Sequence, residues 1–440
     1  MARLSVSPAR WTAFEVLRKV DDGGFSSTLL ASEEPKLKPT DRSLCHELVL
    51  GVLRWQLNLD KRIEYYSNRK IESLDRAVLI ALRLGLYQLR FLTRIPASAA
   101  VDESVKLVQV ARLSSARAFV NAVLRRATRE PDYNPASSCP DPLLQIAIET
   151  SHPLWLIQRW IDSFGRDEAE ALAKANNETP PIAFRVVRNR TEPDAILKRL
   201  EAASITIEPS RIAKCAWRCS TGAAVLRALA QDGQIYFQDE ASQLVAELVK
   251  AQPGDLVLDM CAAPGGKTTL IADDAKDSVV IACDISVKRL ATVALSVARQ
   301  RLTNVSLLLL DAAVPLPFKA GSFDHVLLDA PCSGTGTLRH NPEIRWLVTP
   351  EEIPRFAERQ LLFLHNAAQI LRSGGQLIYS TCSLEPEENE AVVAKFLDVN
   401  KTISAIPLKI GAITSPSGHA RTWPHRHGVD GFFVAAFQKS

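Results

Sequence analysis

Three patterns along the chain predict a multidomain protein: an all-helical front part, a small α+β connector, and a carboxy-terminal α/β domain of Rossmann-like type. Apolar residues recur at helical spacing through residues 1–140. Residues 141–235 mix short helical and strand patterns. From about Tyr236, near-continuous apolar strands alternate with amphipathic helices, which predicts a mostly parallel sheet covered on both faces. A length of 440 residues accommodates three such parts.

In the front part, Ser7-Pro8 reads as a cap followed by proline in the first helical turn. Ala13, Phe14, Leu17 and Val20 follow at helical spacing. Asp41 opens a second helix with Leu44, Leu48, Val52 and Trp55 on one face. Leu74 to Leu92 forms a long apolar helix that carries Arg76, Arg83 and Arg90 on a different face. Val101–Val110 and Ala116–Ala127 complete the bundle. Residues 131–140, rich in proline and serine, mark a linker. In the connector, Pro153–Phe164 reads as a helix, 182–188 as a strand, 194–203 as a helix and 205–208 as a short strand. In the last part, strands are expected at 256–260, 278–285, 305–311, 324–329, 375–381 and 431–438. Helices are expected at 239–250, 267–275, 286–301, 351–372 and 387–398.

Composition narrows the class. Hydrophobic residues are 47% and charged residues 23% of the chain, ordinary for a globular protein. No apolar run reaches the roughly 18 residues of a membrane-spanning helix. The start, Met1 to Arg10, lacks the apolar stretch of a secretory signal, so no membrane partner and a cytoplasmic location are expected. The eight cysteines are scattered, unlike a disulfide framework. Cys215 and Cys219 lack a second ligand pair, and Pro424-His425-Arg426-His427 reads as a loop, so no metal is expected. Residues 1–140 carry 22 Lys+Arg against 15 Asp+Glu, and the remainder carries 31 against 34. A basic front part suits a polyanionic partner, although a solvated helical surface gives the same balance.

The chemistry-bearing residues fall at the expected carboxyl ends of strands, where ligands bind in such sheets. Asp259 ends the first strand, and Cys261-Ala262-Ala263-Pro264-Gly265-Gly266-Lys267 turns into a helix. A phosphate-binding P-loop would need glycine where Cys261 stands, and no G-x-G-x-x-G occurs. A glycine turn followed by strand-end acids at Asp284 and Asp311 fits an adenosine ligand without a pyrophosphate. Asp284 can meet ribose hydroxyls and Asp311 an adenine edge. S-adenosylmethionine meets that description, although any one strand-end aspartate also serves as a turn cap.

Asp329-Ala-Pro-Cys332 and Thr381-Cys382 follow two long strands. If those strands pair about 5 Å apart, both thiols face one pocket. Cys45, Cys139 and Cys283 read instead as small buried hydrophobes. Methylation at carbon 5 of cytosine needs such a set. A thiolate added to carbon 6 makes carbon 5 nucleophilic, an acid such as Asp329 hydrogen-bonds the ring edge, and a base removes the carbon-5 proton. The residues alone leave open which thiol attacks.

The segments Asp259 to Lys267, Asp329 to Gly336 and Ser380 to Glu390 resemble the signatures of RNA cytosine-C5 methyltransferases, and Trp423-Pro424 with Asp430 to Phe433 is also similar. The helical front resembles the NusB-like RNA-binding bundle. Together they resemble the bacterial 16S rRNA (cytosine-C5) methyltransferases of the Sun/Fmu type. The resemblance implies Cys382 as the nucleophile and Cys332 as the thiol that assists breakdown of the covalent intermediate. It also implies S-adenosyl-L-methionine contacts at Cys261 to Lys267, Asp284, Asp311 and Asp329, and a monomer acting on 16S rRNA, free or in an early assembly particle. The target base must leave its stack. Arg339, His340, Arg345 and Trp346 are candidates for flanking nucleotides, or else a polar surface loop with Trp346 packed. Arg125, Arg126 and Arg129 are candidates for phosphates, or else a solvated helix end. Two other readings compete. A non-catalytic RNA-binding assembly factor would carry a degenerate thiol or cofactor loop. DNA cytosine methylation would carry Pro-Cys-Gln, whereas Ser333 follows Cys332.

Overall fold

The computed structural model describes residues 6–137 and 139–440. Residues 1–5 of the amino-terminal stretch and Ser138 of the linker lie outside it. The chain forms two units: residues 1–178 with 338–348, and residues 179–337 with 349–440.

The first unit is helical. Its helices run Pro8–Asp21, Ser26–Glu33, Pro39–Arg54, Gln56–Ser67, Arg76–Phe91, Ala97–Val110 and Arg117–Arg129, then Pro142–Thr150, Leu154–Phe164 and Arg166–Ala175. Phe14, Leu48, Val52, Leu84 and Leu124 meet in one core. Proline opens the first helix as expected, but the Ser7 side chain does not cap it; its hydroxyl accepts from Arg10 instead. The second expected helix starts at Pro39 rather than Asp41. Asp75 caps the long apolar helix by accepting from the amides of Ala77 and Val78. Arg83 is not on a solvent face: it is buried in a bidentate pair with Asp60 at 2.7 and 2.8 Å. Arg90 donates to the carbonyls of Pro131 and Ala127.

The second unit starts with a four-stranded antiparallel sheet in the order β2-β3-β1-β4, where β1 is Ile182–Val186, β2 Glu208–Pro209, β3 Ala216–Cys219 and β4 Ile235–Phe237. Helices Pro193–Ala202 and Ala223–Gln231 accompany it. The strands β3 and β4 and the helix at 223–231 are too short to show a period in the sequence.

The larger sheet holds β5 (Leu256–Asp259), β6 (Val279–Asp284), β7 (Val305–Leu309), β8 (Phe323–Asp329), β9 (Leu371–Thr381), β10 (Ile403–Ile406), β11 (Ala420–Arg421) and β12 (Phe433–Lys439). Its order is β10-β12-β9-β8-β5-β6-β7, with β11 on β12. The strands β9, β8, β5, β6 and β7 run parallel, while β12 and β10 add an antiparallel margin. The chain therefore winds one way from β5 through β6 and β7, and the other way through β8 and β9. The switch point lies at β5, where open α/β sheets bind ligands. Leu258, Val326, Leu328, Leu377 and Tyr379 pack on one face, and Val257, Val280, Leu327 and Ile378 on the other.

Candidate active site

The first wall of the site is the turn after β5. Asp259 is fully buried, and the Thr268 hydroxyl donates to its Oδ2 at 2.6 Å. Among the described residues its Oδ1 has no hydrogen-bond partner of good geometry, although the Cys261 amide lies close enough to favour its charge. Burial pushes its carboxyl up to about 7, against the pull of the Thr268 hydroxyl. The turn through Cys261, Ala262, Ala263 and Pro264 closes where the Gly265 amide donates to the Ala262 carbonyl at 2.7 Å. Gly265 takes φ 104°, a left-handed conformation that favours glycine, and Gly266 starts the helix Gly266–Asp274. Burial, followed by the charges of Asp259, Asp329 and Asp284, pushes the Cys261 thiol well up, so it stays neutral.

Asp284 ends β6 nearly buried; it accepts from the Ser286 amide at 2.9 Å and from Arg289 at 3.2 Å. The next side chain, Ile285, is 56% exposed. Asp311 follows β7, half-buried, and accepts from the Ala313 amide at 2.8 Å. A buried carboxylate oxygen left without a donor, an apolar side chain exposed at a strand end, and acids after three adjacent strands fit an adenosine-bearing cofactor with a cationic centre.

Lys267 departs from the simple expectation. Its ammonium lies 2.6 Å from Asp329 Oδ2 and 5.1 Å from the centre of the Phe432 ring. Burial works against its charge, but the Asp329 carboxylate outweighs that and its pKa rises. The glycine turn after β5 and the second wall thus share one ion pair.

That second wall is made by β8 and β9. Their parallel register sets Asp329 beside Ser380, and the Ser380 hydroxyl donates to Asp329 Oδ1 at 2.7 Å. Three residues past Asp329 and two past Ser380, the sulfurs of Cys332 and Cys382 lie 3.4 Å apart. Both thiols are partly exposed, while Ser333 and Ser383 beside them are buried. The hydrogen bond to Cys382, reinforced by burial, pushes the Cys332 thiol well up. The Gly336 amide donates to the Cys382 carbonyl at 2.9 Å. A Cβ on Gly336 would stand 2.0 Å from the Gly431 oxygen, so only glycine lets these loops close together. Asp259, Cys261, Lys267, Asp329, Cys332 and Cys382 are therefore one constellation; Asp284 and Asp311 extend it along β6 and β7.

Sequence reasoning missed Glu388. It is buried, and its carboxylate accepts from the Ser333 amide and hydroxyl, the Ser383 hydroxyl and the Gln360 amide. Glu385 and Glu388 are buried while Glu387 and Glu390 are exposed, and no period in the sequence marks which of the four turn inward. Arg185 in β1 was also missed. Fully buried, it donates to the Thr269 hydroxyl at 2.8 Å, and that hydroxyl donates to the Gly265 carbonyl at 2.7 Å. Arg185 of β1 thus braces the glycine turn through Thr269.

The segment after the first thiol loop requires a correction. Residues 338–348 belong to the helical unit, and Arg339, Glu343 and Arg345 are buried there, so a polar surface loop does not describe them, while His340 and Trp346 are half-buried. Arg345 is buried and donates to the carbonyls of Arg54 and Ser151 and to Asn177. The Trp346 indole donates to the Leu53 carbonyl at 2.9 Å, and buried Glu343 accepts from the amide and hydroxyl of Ser26. Arg126 is also engaged, with Glu130 and the Tyr65 carbonyl, whereas Arg125 and Arg129 are exposed.

Residues 246–438 match the model of the 16S rRNA methyltransferase RsmB/F family, residues 7–129 that of the NusB family, and residues 152–226 that of the RsmF/B-like ferredoxin-like domain. The ribosomal RNA small subunit methyltransferase B of Pseudomonas putida is 35% identical, over 98% of this chain and 98% of its own. That of Vibrio cholerae is 34% identical over 98% and 97%. The crystal structure of PH0851 superposes with a TM-score of 0.85 at 26% identity, covering 99% of both chains. The chain belongs to the 16S rRNA methyltransferase RsmB/F family, whose members are rRNA methyltransferases that use S-adenosyl-L-methionine.

Proposed function

We propose that this enzyme methylates carbon 5 of one cytosine in 16S rRNA through a covalent bond between Cys382 and carbon 6 of the base. The observation that carries the reading is the pair of sulfurs 3.4 Å apart beside Asp329, at the end of paired parallel strands.

The closeness of the pair supports the mechanism. The bond to Cys382 and burial push the Cys332 thiol well up, and in this reading a protonated Cys332 donates to a Cys382 thiolate 3.4 Å away. A Cys382 thiolate then adds to carbon 6. The carbon 5–carbon 6 double bond opens, and its electrons become available at carbon 5. Asp329, ion-paired with Lys267, accepts a hydrogen bond from the exocyclic amine, and a proton taken up from solvent at ring nitrogen 3 neutralises the charge that addition puts on the ring. For release, solvent water takes the carbon-5 proton, and the electrons of that bond re-form the carbon 5–carbon 6 double bond. The carbon 6–sulfur bond breaks to give a Cys382 thiolate, which the Cys332 hydrogen bond stabilises; the proton on nitrogen 3 returns to solvent. Cys261 to Lys267, Asp284, Asp311 and Asp329 would hold S-adenosyl-L-methionine, which when bound supplies the electrophilic methyl group.

In this reading residues 1–140 are the NusB-like RNA-binding domain, 141–235 the connector and 236–440 the catalytic domain. The enzyme works in the cytoplasm as a monomer, on free 16S rRNA or an early assembly particle. Among the described residues no helix is long and apolar enough to cross a membrane.

The test is methyl transfer from labelled S-adenosyl-L-methionine to unmodified 16S rRNA, with 5-methylcytosine mapped by sequencing. One cytosine should become labelled, and Cys382→Ala should label none. Full turnover by Cys382→Ala would end the covalent mechanism. A wild-type protein that binds the RNA yet transfers nothing would be an assembly factor instead.

A further inference from the structure

We propose that Glu388 is a positioning residue that sets the spacing of the two thiols, a buried carboxylate clasp across the loops after β8 and β9. The proposal rests on the reading that both thiols serve one base. Ser333 follows Cys332 and Ser383 follows Cys382, so each thiol stands one residue from a hydroxyl held by the same carboxylate. Glu388 Oε1 accepts from the Ser333 amide at 2.9 Å and the Gln360 amide at 3.0 Å. Glu388 Oε2 accepts from the Ser333 hydroxyl and, at 2.5 Å, from the Ser383 hydroxyl. The two hydroxyls are themselves 3.0 Å apart. The loops are tied at the residue next to each sulfur.

The clasp is itself anchored. Glu388 ends a short turn, Pro386–Glu388, and its carbonyl accepts from the Tyr379 hydroxyl at 2.5 Å. Gln360 reaches it from the helix Glu352–Ile370 and also donates to the Pro331 carbonyl at 3.0 Å, just before Cys332. Asn389 fixes the other loop: it accepts from the Thr381 hydroxyl at 2.5 Å and donates to the Ser383 carbonyl at 2.9 Å. None of these partners is a cation. The four donors replace hydration around a buried carboxylate, an arrangement costly to keep unless the geometry is needed. Burial raises the carboxyl pKa, and the nearby carboxylate in turn helps keep the Cys332 proton in place. Alanine removes the clasp, aspartate is one methylene too short to span both loops, and glutamine keeps the shape but loses one acceptor.

The test uses the full-length protein and a glutathione redox buffer, without RNA. Two thiols and one glutathione disulfide give one protein disulfide and two glutathiones, so the oxidised fraction reads the effective concentration of Cys332 at Cys382. Mass spectrometry of the linked peptides counts it. Glu388→Ala should lower that effective concentration, and kcat, by about a hundredfold, the scale of an ångström-sized misplacement. KM for S-adenosyl-L-methionine should stay unchanged. Glu388→Gln should fall between, and Ser383→Ala, which cuts one arm, decides the matter if Glu388→Ala does not fold. Wild-type thiol pairing in folded Glu388→Gln and Ser383→Ala overturns the clasp, whatever the wild type methylates. Lost pairing in the variants supports it, even if the wild type proves inactive on cytosine; in that case the failed reading is the covalent mechanism.

Discussion

The segment Leu338–Val348 in the helical unit and the strand ends of the catalytic sheet both bury charged side chains, but they use them differently. Arg345 spends its terminal donors on the carbonyls of Arg54 and Ser151 and on Asn177, and Glu343 is taken up by Ser26. At the strand ends, Asp259 keeps an oxygen without a donor, and two thiols stay partly exposed. Both leave a buried polar atom without a partner among the described residues, Arg345 Nε in the first and Asp259 Oδ1 in the second. Only the second stands at strand ends beside two partly exposed thiols, so position in the fold, and not an unmet hydrogen bond by itself, separates a structural charge from a chemical one.

Cys332→Ala should break the catalytic side of this contrast most completely. On the proposed mechanism, addition through Cys382 remains possible, but the proton that would stabilise its departure is gone. Turnover should all but cease, while a protein–RNA adduct resistant to denaturant accumulates and runs as a shifted band on a denaturing gel. Normal product release without adduct would remove Cys332 from the release step.

Arg345→Met tests the other side. Removing the guanidinium leaves several buried carbonyls without donors, and Glu343 without its nearby positive charge. The helical unit should lose about 3–5 kcal/mol, the scale of breaking a buried charged network. A denaturant melt measures it. Activity per folded molecule, and the salt dependence of RNA binding, should not change. A stable variant with weakened RNA binding would return Arg345 to the RNA face.

The parallel core of the sheet was legible because its strands are continuous apolar runs ending in chemistry-bearing residues, so Asp259, Asp284, Asp329 and both thiols could be placed before any coordinates. Long residue-specific motifs carried the rest of the site. What escaped was the packing of distant segments against one another. Packing of Trp346 is one of the two readings the sequence admits, but nothing in Arg345 announces that it is buried among backbone carbonyls rather than facing solvent. Glu388 lies among three other glutamates, and only the turn after Pro386 points it inward. The strand Ile403–Ile406 is four residues long and half-exposed, so neither period nor apolarity marks it.

The uncompensated oxygen of Asp259 has a pH signature. Its carboxyl sits at about 7 in the folded protein, against an ordinary aspartate value of 3.8. The folded state therefore holds the proton more tightly. The stability tied to that proton is fully present below about pH 4 and is lost as pH rises to about 7. Asp259→Asn has no proton to lose. Without cofactor, the variant should gain on the wild type by up to about 1.4 kcal/mol per pH unit across that window, then run parallel above it. Thermal melts from pH 4 to 8 trace both curves; parallel curves throughout would mean that Asp259 is ionised and already paired.

The smallest effect is expected where charge is neither buried nor spoken for. Arg129 is exposed, and Arg125, also exposed, meets only a 3.0 Å bond to Asn121 in its own helix. Arg125→Ala with Arg129→Ala should shift stability by no more than about 0.5 kcal/mol. If these side chains meet phosphates, the slope of log affinity against log salt should flatten by about 1 for each phosphate no longer neutralised. The same slope measured for Arg345→Met should match the wild type, since a buried guanidinium displaces no counterion. Equal slopes in all three proteins would place the polyanion on another surface, and the excess positive charge of the front part would then belong to the solvated helices.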